Sequence, residues 1–131
     1  MTKQDFKKKF KDIINQHVTK VVEGKVSCQS DRDKADFNGV YLLIDNDNII
    51  YVGSAYPSSF PIKKRLYIHY NSHDSNSCLA RHLMREEGWT REQAKEYIGR
   101  LDFIALEHFS LEYYLIENIT GLKNLKGYKN N

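Results

Sequence analysis

The sequence has few cysteines and no long apolar run, and each of these absences excludes a class of protein. Its 131 residues contain only Cys28 and Cys78, fifty residues apart, with no Cys-x-x-Cys pair or Cys/His cluster. This spacing argues against a structural zinc site and a disulfide scaffold, so we expect reduced thiols in an intracellular, cytoplasmic protein. No apolar run approaches the roughly 18 residues of a membrane helix, and we expect no membrane partner. The lysine-rich start lacks the apolar core of a secretory signal.

The composition is that of a packed domain with a mild excess of positive charge. Hydrophobic residues make up 40% and charged residues 28%, which favours one globular domain over disorder. The net charge of +3 suits a nucleic-acid partner without selecting one. Lysines crowd the start of the chain, where they are either a solvated helix face or a phosphate-contacting patch. They stand at positions 3, 7, 8, 9 and 11.

The first 38 residues are predicted to form a helical extension and a linker. Apolar residues recur at three- and four-residue spacing from Phe6 to Val21, which predicts one amphipathic helix over residues 3–23. The polar stretch 24–38 is typical of a loop. We therefore expect a main domain over residues 39–131.

The next stretch predicts a β-hairpin. Gly39 to Asp45 and Ile49 to Ser54 are rich in β-branched and apolar residues, and 46–48 are Asn-Asp-Asn, which suit a turn. A three-residue loop would pair Leu43 with Tyr51 and place Tyr41 and Tyr51 on one face, whereas a two-residue loop would separate them. The sequence favours the three-residue loop.

Helices and one more strand are predicted after the hairpin, which makes an α+β fold. Pro61 suits the start of a helix of about ten residues, on which Arg65 and His69 are neighbours on one face. A second helix follows the polar break 71–77 and ends at Gly88. The remaining predictions are a capping box at Thr90 and Gln93 that starts a third helix, a strand over Asp102 to His108, and a last helix capped by Ser110.

Two short motifs give the chain its most specific feature. Gly39-Val40-Tyr41 is followed, after nine residues, by Tyr51-Val52-Gly53. This arrangement resembles the signature of the GIY-YIG nuclease family. Members of that family carry an Arg on the following helix, which Arg65 matches, and several carry a His where His69 stands. Later matches are Glu112, within Leu111-Glu112-Tyr113-Tyr114-Leu115-Ile116, and Asn124, so the resemblance covers about residues 39–124.

The resemblance implies a small, mostly antiparallel three-stranded sheet flanked by helices, and cleavage of DNA phosphodiester bonds with Mg²⁺ or Mn²⁺. Tyr41 would be the general base and Tyr51 would orient the water or phosphate. Arg65 would hold a phosphate oxygen through its planar fork, and His69 would relay or accept the proton of Tyr41. By the same resemblance, Glu112 would bind the metal and Asn124 would fix local hydrogen bonds.

Hydrolysis of a phosphodiester needs these chemical functions whatever the family. One carboxylate with waters and a phosphate is typical of a magnesium site. A phenol with its usual pKa near 10 needs nearby positive charge before it can act as a base. Taken one at a time, however, Tyr41 and Tyr51 are more typical of ordinary strand tyrosines with buried rings.

Several alternatives stay open at this point. Glu117 is the second candidate metal ligand, and Asn130 is the alternative to Asn124. The basic residues Lys63, Lys64, Arg81 and Arg85 are expected to contact the DNA backbone. A double-strand break would need two successive cuts or a homodimer.

The role of the whole protein is open in the same way. The same scaffold could serve as a non-catalytic module that binds nucleic acid or protein, or as a nuclease for structured RNA. A small DNA nuclease of this kind would suit a phage or another mobile element, and homing, restriction and repair all agree with the motifs.

Overall fold

The computed structural model describes residues 1–55, 60–73 and 75–108 of the chain. Over these ranges the fold is α+β, with six helices and a four-stranded antiparallel sheet in the order β1-β4-β2-β3. No helix in the described ranges is long and apolar enough to span a membrane. The elements are α1 (Lys3–Lys9), α2 (Lys11–His17), β1 (Val21–Lys25), α3 (Gln29–Asp33), β2 (Gly39–Asp45), β3 (Asn48–Ala55), α4 (Ile62–Asn71), α5 (Cys78–Arg85), α6 (Arg91–Gly99) and β4 (Asp102–Leu106).

The sheet therefore has four strands in the described part of the chain, where three were expected. The additional strand is β1, which pairs with β4 from Val21 opposite Leu106 to Lys25 opposite Asp102. The prediction of one helix over residues 3–23 is wrong. The helical segment breaks at Phe10, ends at His17, and gives way to strand. Val21 and Val22 are β-branched and pair with Leu106 and Ala105 of β4. The stability gained from this strand pairing outweighs the helix preference that the apolar spacing indicated.

The linker prediction for residues 24–38 also needs correction. The end of β1 and the short helix α3 lie within this stretch. Asp31 ties the two together, because its Oδ2 accepts a hydrogen bond of 2.9 Å from the backbone N–H of Lys25. A side chain in α3 thus closes the turn that follows the strand.

The helices α1 and α2 cover one face of the sheet, which we call the N-terminal face. Phe6 and Phe10 are each only 1% exposed, and their ring centroids lie 5.1 Å apart. Burial of this kind gives the first helices their stability, since segments of seven residues are too short to be stable alone. The sheet residues beneath them are Val40, Leu42, Ile44, Ile49, Val52, Ile104 and Leu106.

The opposite face carries the larger core and the two motif tyrosines, and we call it the site face. It is covered by apolar residues of α4, α5 and α6 together with residues around α3. Buried members of this core include Tyr41, Leu43, Tyr51, Ile62, Leu66, Leu79, Leu83, Ala94, Ile98 and Phe103. The sheet thus lies between two helical layers, and its central strands are buried on both sides.

The hairpin of β2 and β3 closes through two residues and not three. Asn46 and Asp47 both have positive φ, at 48° and 76°, which is the backbone of the tight turn that matches strand twist. The three-residue loop was therefore the wrong prediction. Asn and Asp suit these positions because their short polar side chains tolerate the left-handed region.

A β-bulge at Ile50 nevertheless restores the predicted register. Ile44 pairs with Ile49, but Leu43 pairs with Tyr51, so Ile50 is the extra residue. Tyr41 and Tyr51 consequently lie on the same face, with ring centroids 6.2 Å apart. The predicted pairing of Leu43 with Tyr51 is confirmed, although by a different route.

Local signals for the later helices are confirmed, except that α5 ends at Arg85 and not at the predicted Gly88. Helix α4 starts after Pro61 and has ten residues. Thr90 and Gln93 form both halves of the capping box of α6, and Gly88 takes a positive φ of 74° after α5. The predicted strand is present as β4, while the last helix expected from Ser110 onward lies outside the described residues.

Substitution of Phe6 tests whether α1 belongs to the folded core. Phe6→Ala should lower the free energy of unfolding by about 3–5 kcal/mol, since it opens a cavity against the sheet. Lys8→Ala, on the exposed side of the same helix, should change it by less than about 0.5 kcal/mol. Urea unfolding of both variants measures the difference, and equal stabilities would contradict the packing described.

Candidate active site

Four polar side chains that are distant in sequence meet on the site face. Tyr41 lies on β2, Tyr51 on β3 and His69 on α4. Ser77 is the N-cap residue that directly precedes α5. The hydroxyl of Tyr41 lies 2.7 Å from His69 Nε2, and Ser77 Oγ lies 2.6 Å from His69 Nδ1. The ring of Tyr51 stands edge-on to that of His69, with centroids 5.0 Å apart. The side chains of Tyr41, Tyr51 and His69 therefore lie in contact with one another, as the sequence predicted.

The motif glycines make room for this arrangement. Gly53 pairs directly with Tyr41 across the hairpin, and a Cβ at Gly53 would overlap the Tyr41 ring and lie 2.5 Å from its hydroxyl oxygen. A Cβ at Gly39 would overlap the carbonyl oxygen of Leu106 and lie 2.8 Å from the backbone nitrogen of His108. Gly53 is thus required because the Tyr41 side chain lies against its backbone. Gly39 is required because the neighbouring strand β4 lies too close for a Cβ.

His69 is the buried centre of the group. It is 3% exposed, and both ring nitrogens have hydrogen-bond partners. Burial, and secondly the positive charge of Arg65, lower the pKa of His69 from 6.5 to about 3. The imidazole is therefore neutral at pH 7. A neutral imidazole carries one N–H, so His69 donates to only one of Tyr41 and Ser77.

Arg65 lies one helical turn before His69, as its spacing predicted. Its guanidinium carbon is 4.5 Å from the centroid of the Phe60 ring, a cation–π contact that orients the planar group. Arg65 Nε is buried and has no hydrogen-bond partner among the described residues. An anionic oxygen would satisfy this donor, which makes Arg65 suited to hold a phosphate or carboxylate.

The other predicted basic residues lie on two helices. Lys63 and Lys64 flank Arg65 on α4, where Lys63 forms a 3.3 Å ion pair with Asp36. Lys64 Nζ is 5.9 Å from the centroid of the Phe60 ring. On α5, Arg81 donates a 3.3 Å hydrogen bond to the carbonyl oxygen of Ser75, and Arg85 is exposed. The α4 lysines therefore share the immediate surroundings of Arg65.

The remaining predicted site residues lie outside the described part of the chain. These are Glu112 and Asn124 with their alternatives Glu117 and Asn130. Within residues 1–55, 60–73 and 75–108, no group of three or more His, Cys, Asp or Glu residues could hold a metal ion. If a metal binds at this site, Glu112 or Glu117 remains its predicted ligand.

Sequence reasoning missed two members of the site. Ser77 stood in a polar break, and its position before an apolar helix predicts an N-cap, a role that it fills by accepting a 3.0 Å hydrogen bond from Ala80 N–H. Its second contact, with His69, had no sequence signal. Phe60 was placed in a connecting loop, and only the fold brings its ring under Arg65.

Comparison with known proteins identifies no relative. The chain matches no protein-family model, and neither a curated protein nor a solved structure matches it significantly.

A methyl group at Gly53 tests the close approach of Tyr41. Gly53→Ala should lower the free energy of unfolding by about 1–3 kcal/mol, because the new Cβ forces the Tyr41 ring or the strand to shift. Ser54→Ala, at the next position of β3, should change it by less than about 0.5 kcal/mol. Denaturant titration measures both, and a Gly53→Ala variant as stable as the wild type would show that the ring does not lie over this glycine.

The pH dependence of stability tests the burial of neutral His69. Because the folded pKa lies below 6.5, the unfolded chain binds a proton first, so stability is lost as pH falls from 6.5 toward 3. His69 should contribute up to about 1.4 kcal/mol of lost stability per pH unit over that range. His69→Gln should have a flatter profile in urea unfolding at a series of pH values. Parallel profiles would mean that His69 titrates normally in the folded protein.

Proposed function

We propose that this protein is a divalent-metal-dependent DNA endonuclease of the GIY-YIG type. The observation that carries the proposal is the Tyr41–His69 hydrogen bond of 2.7 Å, formed across 28 residues of sequence, with Tyr51 beside it and Arg65 one turn away. Four residues that match the family motifs thus lie in one place. That convergence is hard to attribute to tyrosines placed only for packing.

The chemistry assigned to the described residues follows from their contacts. Tyr41, as phenolate, takes a proton from a water molecule while the water oxygen attacks the phosphorus atom. The bond from phosphorus to the leaving oxygen then breaks. Arg65 offers its planar donors to a non-bridging oxygen, where the charge of the attacked phosphate is concentrated. Tyr51 lies against the His69 ring, and we assign it to orienting the water or phosphate.

The neutral state of His69 changes one part of the expected mechanism. With its pKa lowered to about 3, the imidazole is a poor acceptor for the proton of Tyr41. We therefore assign His69 to holding and orienting the phenol oxygen, and the proton of the phenol passes to solvent water before the attack.

The metal and the DNA contacts complete the proposal. Glu112 is the proposed ligand for Mg²⁺ or Mn²⁺, which when bound would neutralise charge on the phosphate and leaving oxygen. Asn124 is proposed to fix hydrogen bonds near it. Lys63 and Lys64, beside Arg65, and Arg81 and Arg85 on α5 are proposed to contact the DNA backbone. A homodimer would allow both strands to be cut together.

A supercoiled-plasmid assay with Mg²⁺ or Mn²⁺ tests the proposal. The wild type should nick or linearise the plasmid, and Tyr41→Phe should lower the rate by about 10²–10⁴-fold, the usual contribution of a general base. Arg65→Ala and Glu112→Ala should also abolish most of the activity. Tyr67→Phe removes the hydroxyl of an exposed tyrosine on α4 and should retain wild-type activity, as a matched control.

The other outcomes separate the alternatives. Full activity in Tyr41→Phe or Arg65→Ala would show that the site is wrong. Activity lost only in a Glu117 variant would move the metal to that residue. Salt-sensitive DNA binding without cleavage would favour a binding module, and cleavage of structured RNA alone would favour the RNA nuclease.

A further inference from the structure

Ser77 occupies a position that links the start of α5 to the centre of the candidate site. Its side chain is fully buried, at 0% exposure. Its Oγ accepts the 3.0 Å hydrogen bond from Ala80 N–H and lies 2.6 Å from His69 Nδ1. We propose that Ser77 is a positioning residue, whose hydroxyl donates to His69 Nδ1 and so fixes the tautomer in which Nε2–H donates to the oxygen of Tyr41.

The number of hydrogen bonds that a serine hydroxyl can donate and accept supports this assignment. A serine hydroxyl has one proton to donate and two lone pairs that accept. Ala80 N–H uses one lone pair, so the contact with His69 decides where the proton points. If His69 carried its proton on Nδ1, Ser77 would accept two N–H groups and its own O–H would find no acceptor among the described residues. A buried donor left without an acceptor is costly, so the arrangement with O–H directed to Nδ1 is favoured.

This tautomer has a consequence for Tyr41. An Nε2–H aimed at the phenol oxygen stabilises the phenolate, whereas a lone pair at Nε2 would repel it. Among the described residues, the other titratable or charged groups near the phenol and the imidazole are Tyr51 from β3 and Arg65 from α4. In the described part of the chain, the hydrogen bonds run from Ser77 to His69 and from His69 to Tyr41, so Ser77 acts on Tyr41 through His69. The catalytic meaning of this arrangement rests on the proposed function, but the tautomer itself does not.

The first test measures the tautomer directly and needs no substrate. In the full chain labelled with ¹⁵N-histidine at pH 7, long-range proton–nitrogen spectra should show a protonated Nε2 and an unprotonated Nδ1 for His69. The His69→Gln variant identifies the signals among the five histidines of the chain. A protonated Nδ1 in the wild type would overturn the proposal.

Substitutions at Ser77 supply the second readout. Ser77→Ala removes the donor, so His69 should show a mixture of tautomers, and kcat for plasmid cleavage should fall about tenfold or more with little change in KM. Ser77→Thr keeps the hydroxyl and should restore both the single tautomer and the rate. A single Nε2–H tautomer retained in Ser77→Ala would contradict the assignment to Ser77.

A matched variant separates positioning from helix capping. Ser77→Ala also removes the N-cap of α5, which by itself could loosen the protein. Thr90→Ala removes the corresponding cap of α6, in which Thr90 Oγ1 accepts a 3.1 Å hydrogen bond from Gln93 N–H. Thr90 makes no hydrogen bond to His69 in the described part of the chain. It should leave the tautomer and kcat unchanged, and a loss of kcat equal to that of Ser77→Ala would reduce Ser77 to a capping role. If the wild type shows the Nε2–H tautomer but cleaves nothing, the positioning holds and the proposed nuclease function fails.

Discussion

The bulge at Ile50 governs the whole candidate site, because it decides which face of the sheet Tyr51 occupies. With a two-residue turn and no bulge, Tyr51 and Tyr41 would lie on opposite faces of the sheet. The extra residue shifts the register by one, so Leu43 pairs with Tyr51 and both tyrosines face α4. The same register sets Gly53 beneath the Tyr41 ring, where a Cβ would not fit. The bulge therefore sets the face on which Tyr51 lies, and Gly53 leaves the space that the Tyr41 ring occupies beside His69.

A second constraint on the site is the number of hydrogen-bond donors among its buried groups. The neutral His69 ring has one N–H but two hydrogen-bond partners. His69 is deeply buried beside the positive charge of Arg65, and this environment keeps the imidazole neutral. A neutral ring with two partners leaves a single tautomer to be chosen, and the choice falls to Ser77. Arg65 itself keeps a buried Nε without a partner among the described residues. Unmet donors of this kind are expected at ligand sites more than in ordinary cores.

Helices α1 and α2 and strand β1, all before Gly39, support this site from outside the site face. Helices α1 and α2 cover the N-terminal face, and β1 adds a strand beside β4. With β4 paired on both sides and β2 between β4 and β3, the strand that carries Tyr41 is held in the interior of the sheet. A rigid strand is the kind of element that positions a reactive group reproducibly.

The amino-acid sequence by itself determined the features that depend on neighbours along the chain. The hairpin strands, the helix after Pro61 with Arg65 and His69 four residues apart, and the capping box at Thr90 and Gln93 all follow from local spacing. The motifs also indicated that Tyr41, Tyr51 and His69 would meet. Tertiary structure decided the rest: the strand at Val21, the bulge at Ile50, and the contacts of Ser77 and Phe60 with the site. Each of these depends on a partner distant in sequence, and the energy of such pairing and burial outweighs local preference.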